Sequence, residues 1–393
     1  MYNKNSRLPR VLTAALALLL LACGLAFAQD GSEPRFILRP SPTLWGAYAG
    51  IGLGFNDILF DAETKLLLEL GASYSERAYF RLPDRSIFSG TTGSFTGEEA
   101  PYYDRLNIAW GLGVEQGLLY DPTREANMLE AFFYYRGEYD DNFSASGVDQ
   151  LIFEADPPGA TTGGEDIMIN RLILGATFDS VESAPVTKVL SGSRLEASFS
   201  WAPRFFLNGV IGNSDYGRLN VSLRNFFPIV ENASEEGMNL FSLYLALFSA
   251  ADLLVGDPAD VPYLARRRFG GLSPRRGLGG AVRGYDTGRF DARFKLVSNV
   301  ELRAQLPALF LPDIVPGLLA FIDGGYYSGL FDAPVGTSAD SADEGWLLGT
   351  GLGLTLNALD LTTVVMYLQF NLTGENVDAG AVDFPEFGFS FHF

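Results

Sequence analysis

From Trp45 onward the chain alternates. Apolar residues recur at every second position, in blocks separated by polar, glycine-rich connections. In 45–56, Trp45, Ala47, Ala49, Ile51, Leu53 and Phe55 share one face, and Gly46, Tyr48, Gly50, Gly52, Gly54 and Asn56 share the other. In 106–115, Leu106, Ile108, Trp110, Leu112 and Val114 oppose Asn107, Ala109, Gly111, Gly113 and Glu115. In 348–357, Leu348, Leu352, Leu354 and Leu356 oppose Gly351, Gly353, Thr355 and Asn357. In 364–372, Val364, Met366, Leu368, Phe370 and Leu372 oppose Val365, Tyr367, Gln369 and Asn371. Successive side chains of a strand point to opposite sides, so a period of two predicts strands with one apolar and one small or polar face. Helical periodicity and internal repeats are not seen.

A soluble sandwich would alternate in the same way. Three features predict a transmembrane antiparallel β-barrel instead. The apolar blocks run to about the nine to eleven residues that a tilted strand needs to cross a bilayer. The opposite faces carry Gly, Asn, Gln, Thr, Glu and Tyr, which suits a wet or plugged lumen. Connections alternate between long and polar (85–103, 144–166) and short (121–127, 231–237), as expected of outer loops and periplasmic turns. Backbone polar groups in lipid need internal partners, so such strands must close on themselves. About thirteen strands are legible, eight before an arginine-rich loop and five after it. Barrels of this class have an even number, so the expected fold is all-β with 12–16 strands.

The N-terminus predicts where this barrel goes. Lys4, Arg7 and Arg10 precede an apolar run at 11–24, and Ala26-Phe27-Ala28 fits a signal-peptidase site. The expected organisation is a signal peptide at 1–28, a short unpacked segment at 29–44 and a barrel at 45–393, in the bacterial outer membrane. Leu20-Leu21-Ala22-Cys23 offers lipidation of Cys23 as the alternative. Cys23 is the only cysteine, so cleavage after Ala28 leaves no disulfide framework and no thiolate chemistry. The chain carries a net charge of −19, and losing the leader makes it more acidic, which argues against nucleic acid as a partner.

Enzyme chemistry has little to stand on. His392 is the only histidine, and the alternation of the last strand turns it inward as an ordinary lumen residue. A Ser–His hydrolase or a His-ligated metal would have to be built around that one side chain. Nucleophile-elbow and phosphate-loop motifs are absent. The expectation is a protein that is not an enzyme and needs no metal or cofactor.

Two stretches carry more. Arg266, Arg267, Arg268, Arg275, Arg276, Arg283, Arg289 and Arg293 crowd into 28 residues of an acidic chain, interleaved with glycines at 277, 279, 280, 284 and 288. Just downstream, Glu301 lies on the polar face of 297–305 and Asp323 on the polar face of 318–331, so two inward carboxylates follow the loop. At the C-terminus, Phe387, Phe389, Phe391 and Phe393 share one face of a closing strand that ends in Phe.

In order, "RRFGG", "AVRGY", "SNVELRAQLP", "AFIDGG", "GTGLGLTLN" and "FGFSFHF" cover 266–393. This ordered set resembles the bacterial surface antigen superfamily of outer-membrane barrels, typified by BamA, TamA and the transporters of two-partner secretion. "IGLGFND" (51–57) is similar to that family's first strand. The resemblance implies that Arg283, Gly284 and Tyr285 form the tip of a loop folded into the lumen, with Glu301 and Asp323 as partners of the arginine. It implies that Phe387, Phe389, Phe391 and Phe393 are the signal read by the barrel assembly machinery. Members of the superfamily typically carry periplasmic POTRA domains ahead of the barrel, and none is legible here.

Two functional readings follow. One is a short insertase or translocase, acting in outer-membrane protein insertion, translocation or envelope biogenesis, with client proteins or a separate periplasmic partner. The other is a barrel without such clients: a partly plugged pore for anionic solutes, or a structural or lipid-binding surface barrel whose basic run contacts outer-membrane lipid.

Overall fold

A computed structural model describes residues 34–43, 46–78, 102–143, 166–235, 238–257, 260–262, 265–266, 268–273, 277–285, 292–309, 314–330, 344–358, 362–372 and 386–392. The leader, residues 29–33 and Phe393 lie outside them, as do Arg267, Arg275, Arg276 and Arg289.

The strands are β1 (Arg35–Thr43), β2 (Gly46–Leu59), β3 (Ala62–Ala78), β4 (Tyr102–Asp121), β5 (Ala126–Phe143), β6 (Asp166–Asp179), β7 (Glu182–Ser183), β8 (Leu190–Ala202), β9 (Tyr216–Ala233), β10 (Asn239–Gly256), β11 (Ala292–Gln305), β12 (Ile314–Leu330), β13 (Glu344–Ala358), β14 (Thr362–Asn371) and β15 (Glu386–His392). Fourteen of them form one continuous antiparallel sheet in chain order, and the two-residue β7 pairs on β8. Nine sheet strands precede the arginine loop and five follow it. The strand missed in the sequence is β1, which pairs with β2 over its whole length, from Arg35 opposite Gly54 to Thr43 opposite Gly46. Residues 35–43 therefore belong to the barrel wall, and its start at 45 is corrected to 35. Arg35, Arg39, Pro40 and Pro42 hide β1 from a pattern search, because they interrupt the apolar alternation.

The terminal strand pairs with β14, from Thr363 opposite His392 to Gln369 opposite Glu386. β2 offers the terminal strand no edge, because it is flanked by β1 on one side and β3 on the other. The path through the described residues runs from β1 to β15, with no ladder between these two ends.

The wall is inverted relative to a soluble protein. On β9, Leu219, Val221 and Leu223 are 48%, 47% and 36% exposed, while Arg218, Asn220 and Ser222 between them are 8%, 2% and 3% exposed. The same contrast separates Leu352 and Leu354 from Gly351, and Met366, Leu368 and Phe370 from Val365 and Gln369. The apolar face is turned to lipid and the polar face to the lumen. Phe55 differs from the rest of its row in being buried, although it stays in register opposite Thr64 and the β2–β3 shift begins only beyond it.

Inside, residues from the β10–β11 connection fill part of the lumen. Phe269, Leu278, Val282 and Tyr285 pack with Ala250, Val297, Tyr327 and Leu347 of the wall. A cavity of about 1190 Å³ remains on the other side, lined by Tyr48, Lys65, Glu115, Tyr134, Arg136 and Arg171 among others.

Candidate functional site

The loop tip lies across four strands along one row. Inward-facing Asn299, Asp323, Gly349 and Asn371 are register partners in succession on β11, β12, β13 and β14. Neighbouring strands are about 4.8 Å apart, so alternate residues of an extended segment crossing them meet successive members of such a row. Asn299 Nδ2 donates to the Ala281 carbonyl at 2.9 Å. Asp323 accepts from the Arg283 backbone N–H at 3.0 Å. Gly349 lies under the Arg283 carbonyl, where a Cβ would come within 2.0 Å of that oxygen. The Tyr285 hydroxyl donates to Asn371 Oδ1 at 2.6 Å, and the Leu348 N–H donates to the same hydroxyl at 3.2 Å.

The Arg283 side chain binds both carboxylates. Its Nε and Nη2 reach Asp323 at 2.6 and 2.7 Å, and Nη1 reaches Glu301 at 2.7 Å. Phe321 lies directly opposite Glu301, and its ring carries the guanidinium at 3.5 Å from the centroid. A planar fork matches this arrangement of two acceptors and one aromatic face, and a lysine ammonium would not. Burial works against the charge of Arg283, but the hydrogen bonds and charges of Asp323 and Glu301 outweigh it and hold the pKa above the ordinary arginine value. Glu301 is shared, since Arg303 also reaches it at 2.5 Å.

Gly284 is needed between these anchors. Its φ is +97°, a left-handed conformation, and a Cβ there would approach the Phe370 carbonyl and the Asn371 nitrogen at 3.2 Å. Strain of this kind costs on the order of 1–3 kcal/mol. Gly284→Val is therefore expected to lift the tip off β14 and to increase tryptic cleavage at Arg283 in the folded barrel. Cleavage at the wild-type rate would show that the tip tolerates a side chain.

A second set of contacts went unseen in the sequence. Asp252 on β10 is fully buried and takes Arg218 from β9 at 2.9 Å, Lys295 from β11 at 3.5 Å and the Gly270 N–H at 2.8 Å. Lys295 also donates to the carbonyls of Arg266 and Arg268 at 2.5 and 2.7 Å, and Arg218 donates to the carbonyls of Ala265 and Arg268. Glu196 on β8 accepts the Leu272 N–H at 2.6 Å, and Arg136 on β5 donates to the Leu272 carbonyl. The wall thus holds the loop backbone from β5 to β14. A signal existed: Arg218 alternates with Leu219 and Val221, and Lys295 is one step before Val297 on the polar face. Two arginines of the cluster also bond main-chain carbonyls: Arg266 donates to Val261 and Arg293 to Gly256.

For the closing strand, the backbone of Phe387, Phe389 and Phe391 lies in β15. Their side chains and Phe393 lie outside the described residues, so the assembly signal rests on the sequence alone.

No protein-family profile and no curated protein matches this sequence. Among solved structures, the chain is similar to BamA from Haemophilus ducreyi lacking POTRA domains 1–3. The TM-score is 0.50 at 11% identity, over 92% of this chain and 64% of that one. It also aligns with CdiB from Escherichia coli, with a TM-score of 0.49 at 12% identity, over 92% and 67% of the two chains. This chain therefore spans less than two thirds of the length of that BamA chain. The likeness is one of fold, and on fold the chain is an antiparallel transmembrane β-barrel of the kind found in BamA.

Proposed function

We propose that this barrel resides in the bacterial outer membrane and helps other chains insert into or cross it, by opening between its first and last strands. The observation that carries this reading is the construction of β1. Pro40 and Pro42 sit two apart in it, so their missing N–H groups fall on the same edge. One edge of β1 is paired to β2, and proline is tolerated in sheets where its missing donor faces away from a partner. The free edge thus lacks two donors for any strand that pairs there. β1 and β15, with nine and seven residues, are also the two shortest strands on the sheet path among the described residues.

While its outer edge is poor in donors, β1 is held from inside. Arg35 reaches Glu63 on β3 at 2.6 Å, and Arg39 reaches Glu115 on β4 at 2.8 Å, both forked. These side chains pass over the bare face of β2, where a Cβ on Gly54 would meet Glu63 Oε1 at 2.3 Å. The glycines of β2 make room for a latch, and an opening seam keeps its first strand attached to the wall.

Reconstituted protein is expected to accelerate insertion of a reporter outer-membrane barrel into phospholipid vesicles. Pro40→Thr with Pro42→Thr restores two backbone donors at about 0.5–1.5 kcal/mol each, so insertion should slow by roughly tenfold. A wild-type protein that conducts ions but gives no acceleration would overturn this reading. That result would favour the plugged pore, for which the open cavity beside the loop speaks.

A further inference from the structure

The β8–β9 connection (203–215) is built into the outside of the wall. β8 ends at Ala202, while β6 continues toward Asp166 beyond Leu172, its last residue opposite Trp201. The upper part of β6 would present unpaired donors on that edge, and the connection supplies their acceptors. The Asn170 N–H donates to Asn208 Oδ1 at 2.6 Å and the Met168 N–H to the Ile211 carbonyl at 3.1 Å. Asn170 belongs to the outward set by alternation, since Arg171 beside it pairs with Glu138 in the lumen cavity. Yet Asn170 is buried, because the connection covers it. The Asn208 side chain donates to the Asn170 and Pro203 carbonyls, and Asn170 Nδ2 donates to the Phe206 carbonyl. Arg204 pairs with Asp260.

The side chains of Asn170 and Asn208 thus turn to the wall while Phe205, Leu207 and Val210 turn away, with Arg204 exposed beside them in its pair with Asp260. Phe205 is 59% exposed, Leu207 45% and Val210 72%. Leu207 is held at φ +69°, a conformation that leucine rarely adopts. Phe205 stacks edge-on against Trp201 at 5.6 Å and against Phe206 at 4.7 Å, and Phe206 meets outward Tyr135 at 6.4 Å. The ridge continues the exposed apolar row of β8 formed by Leu195, Phe199 and Trp201. A soluble surface has no use for a pinned turn that displays phenylalanine, leucine and valine together.

We propose that this ridge is a lipid-contacting surface, seated in the membrane interface at the rim of the barrel that carries the long connections. Its occupant is lipid, because the ridge is continuous with the lipid-facing row and carries aromatic rings, which favour the boundary between headgroups and acyl chains. By covering the notch above β8 it extends the apolar face of the wall past the last paired residue, where bare β6 backbone would otherwise meet lipid.

Single cysteines replacing Phe205 or Val210, in a Cys23→Ser full-length background, test this with nitroxide labels in phosphatidylcholine vesicles. Labels at Val221, on the lipid face, and at Thr123, in an exposed turn, serve as references. Heat-modifiable gel mobility selects folded protein. Labels at 205 and 210 are expected to collide with oxygen more than with a water-soluble nickel chelate, as at 221. Nickel access equal to that at 123 would overturn the proposal. Shielding from both reagents would also overturn it, since a second copy or another protein would then cover the ridge.

Discussion

Replacing Asp252 by alanine is expected to destabilise the barrel by about 3–5 kcal/mol, the cost of stranding buried charge. Arg218 and Lys295 would both lose the carboxylate they share, and Lys295 is itself fully buried. The Gly270 N–H would lose its acceptor as well. Water entering the lumen would relieve part of this, so the lower end of the range applies if the site wets. Asp252→Asn keeps the size and one acceptor and should fall between the two. The measurement is the urea midpoint of the detergent-solubilised barrel, followed by heat-modifiable mobility. An alanine variant as stable as wild type would mean that the two cations are solvated in the lumen rather than dependent on Asp252. Lys295→Met in the Asp252→Ala background should recover part of the loss, because it removes one of the two cations that Asp252 holds.

Asp323→Ala is expected to free the loop tip and to cost a similar amount, on the order of 3 kcal/mol. Asp323 holds the Arg283 guanidinium by two bonds and the Arg283 backbone by a third. Glu301 cannot replace it, because it is already shared with Arg303. Arg283→Ala should be milder at Glu301 than at Asp323 for the same reason: Glu301 keeps a cation and Asp323 loses its only charged partner among the contacts described. Residues in contact couple, so the double variant should cost less than the sum of the singles by 0.5–3 kcal/mol. Tryptic cleavage after Arg283 should rise in Asp323→Ala, and chymotryptic cleavage after Tyr285 should rise in both single variants. Additive losses with no change in cleavage would show that the pair does not secure the loop.

The candidate site was partly legible because its carboxylates obey a local rule. Glu301 and Asp323 were found by counting two along strands whose apolar face was plain, whereas Arg283 was marked among the clustered arginines by the resemblance that "AVRGY" carries. Asp252 obeys the same rule in "SAADLLVG", but a lone carboxylate in a mostly apolar strand has no neighbour in sequence to mark it. Its partners come from β9, β11 and the loop, which only the sheet brings together. β1 escaped notice for the opposite reason. Its arginines and prolines break the alternation, and they are intelligible only once Glu63, Glu115 and the glycine face of β2 are beside it.

By itself the sequence determined the class of wall: antiparallel strands long enough to span a bilayer, apolar on one side and polar on the other. That follows from a backbone that reverses side-chain direction at each residue, so two faces can be read without knowing any partner. Through the resemblance carried by "AVRGY" it also pointed to Arg283, Gly284 and Tyr285 as the loop tip. Only the tertiary structure decided the register that sets Asn299, Asp323, Gly349 and Asn371 in one row, and the strand that precedes Trp45. Register and ion pairing depend on which strands become neighbours and how far each is shifted, and a shift of one residue exchanges the faces while leaving the local pattern unchanged.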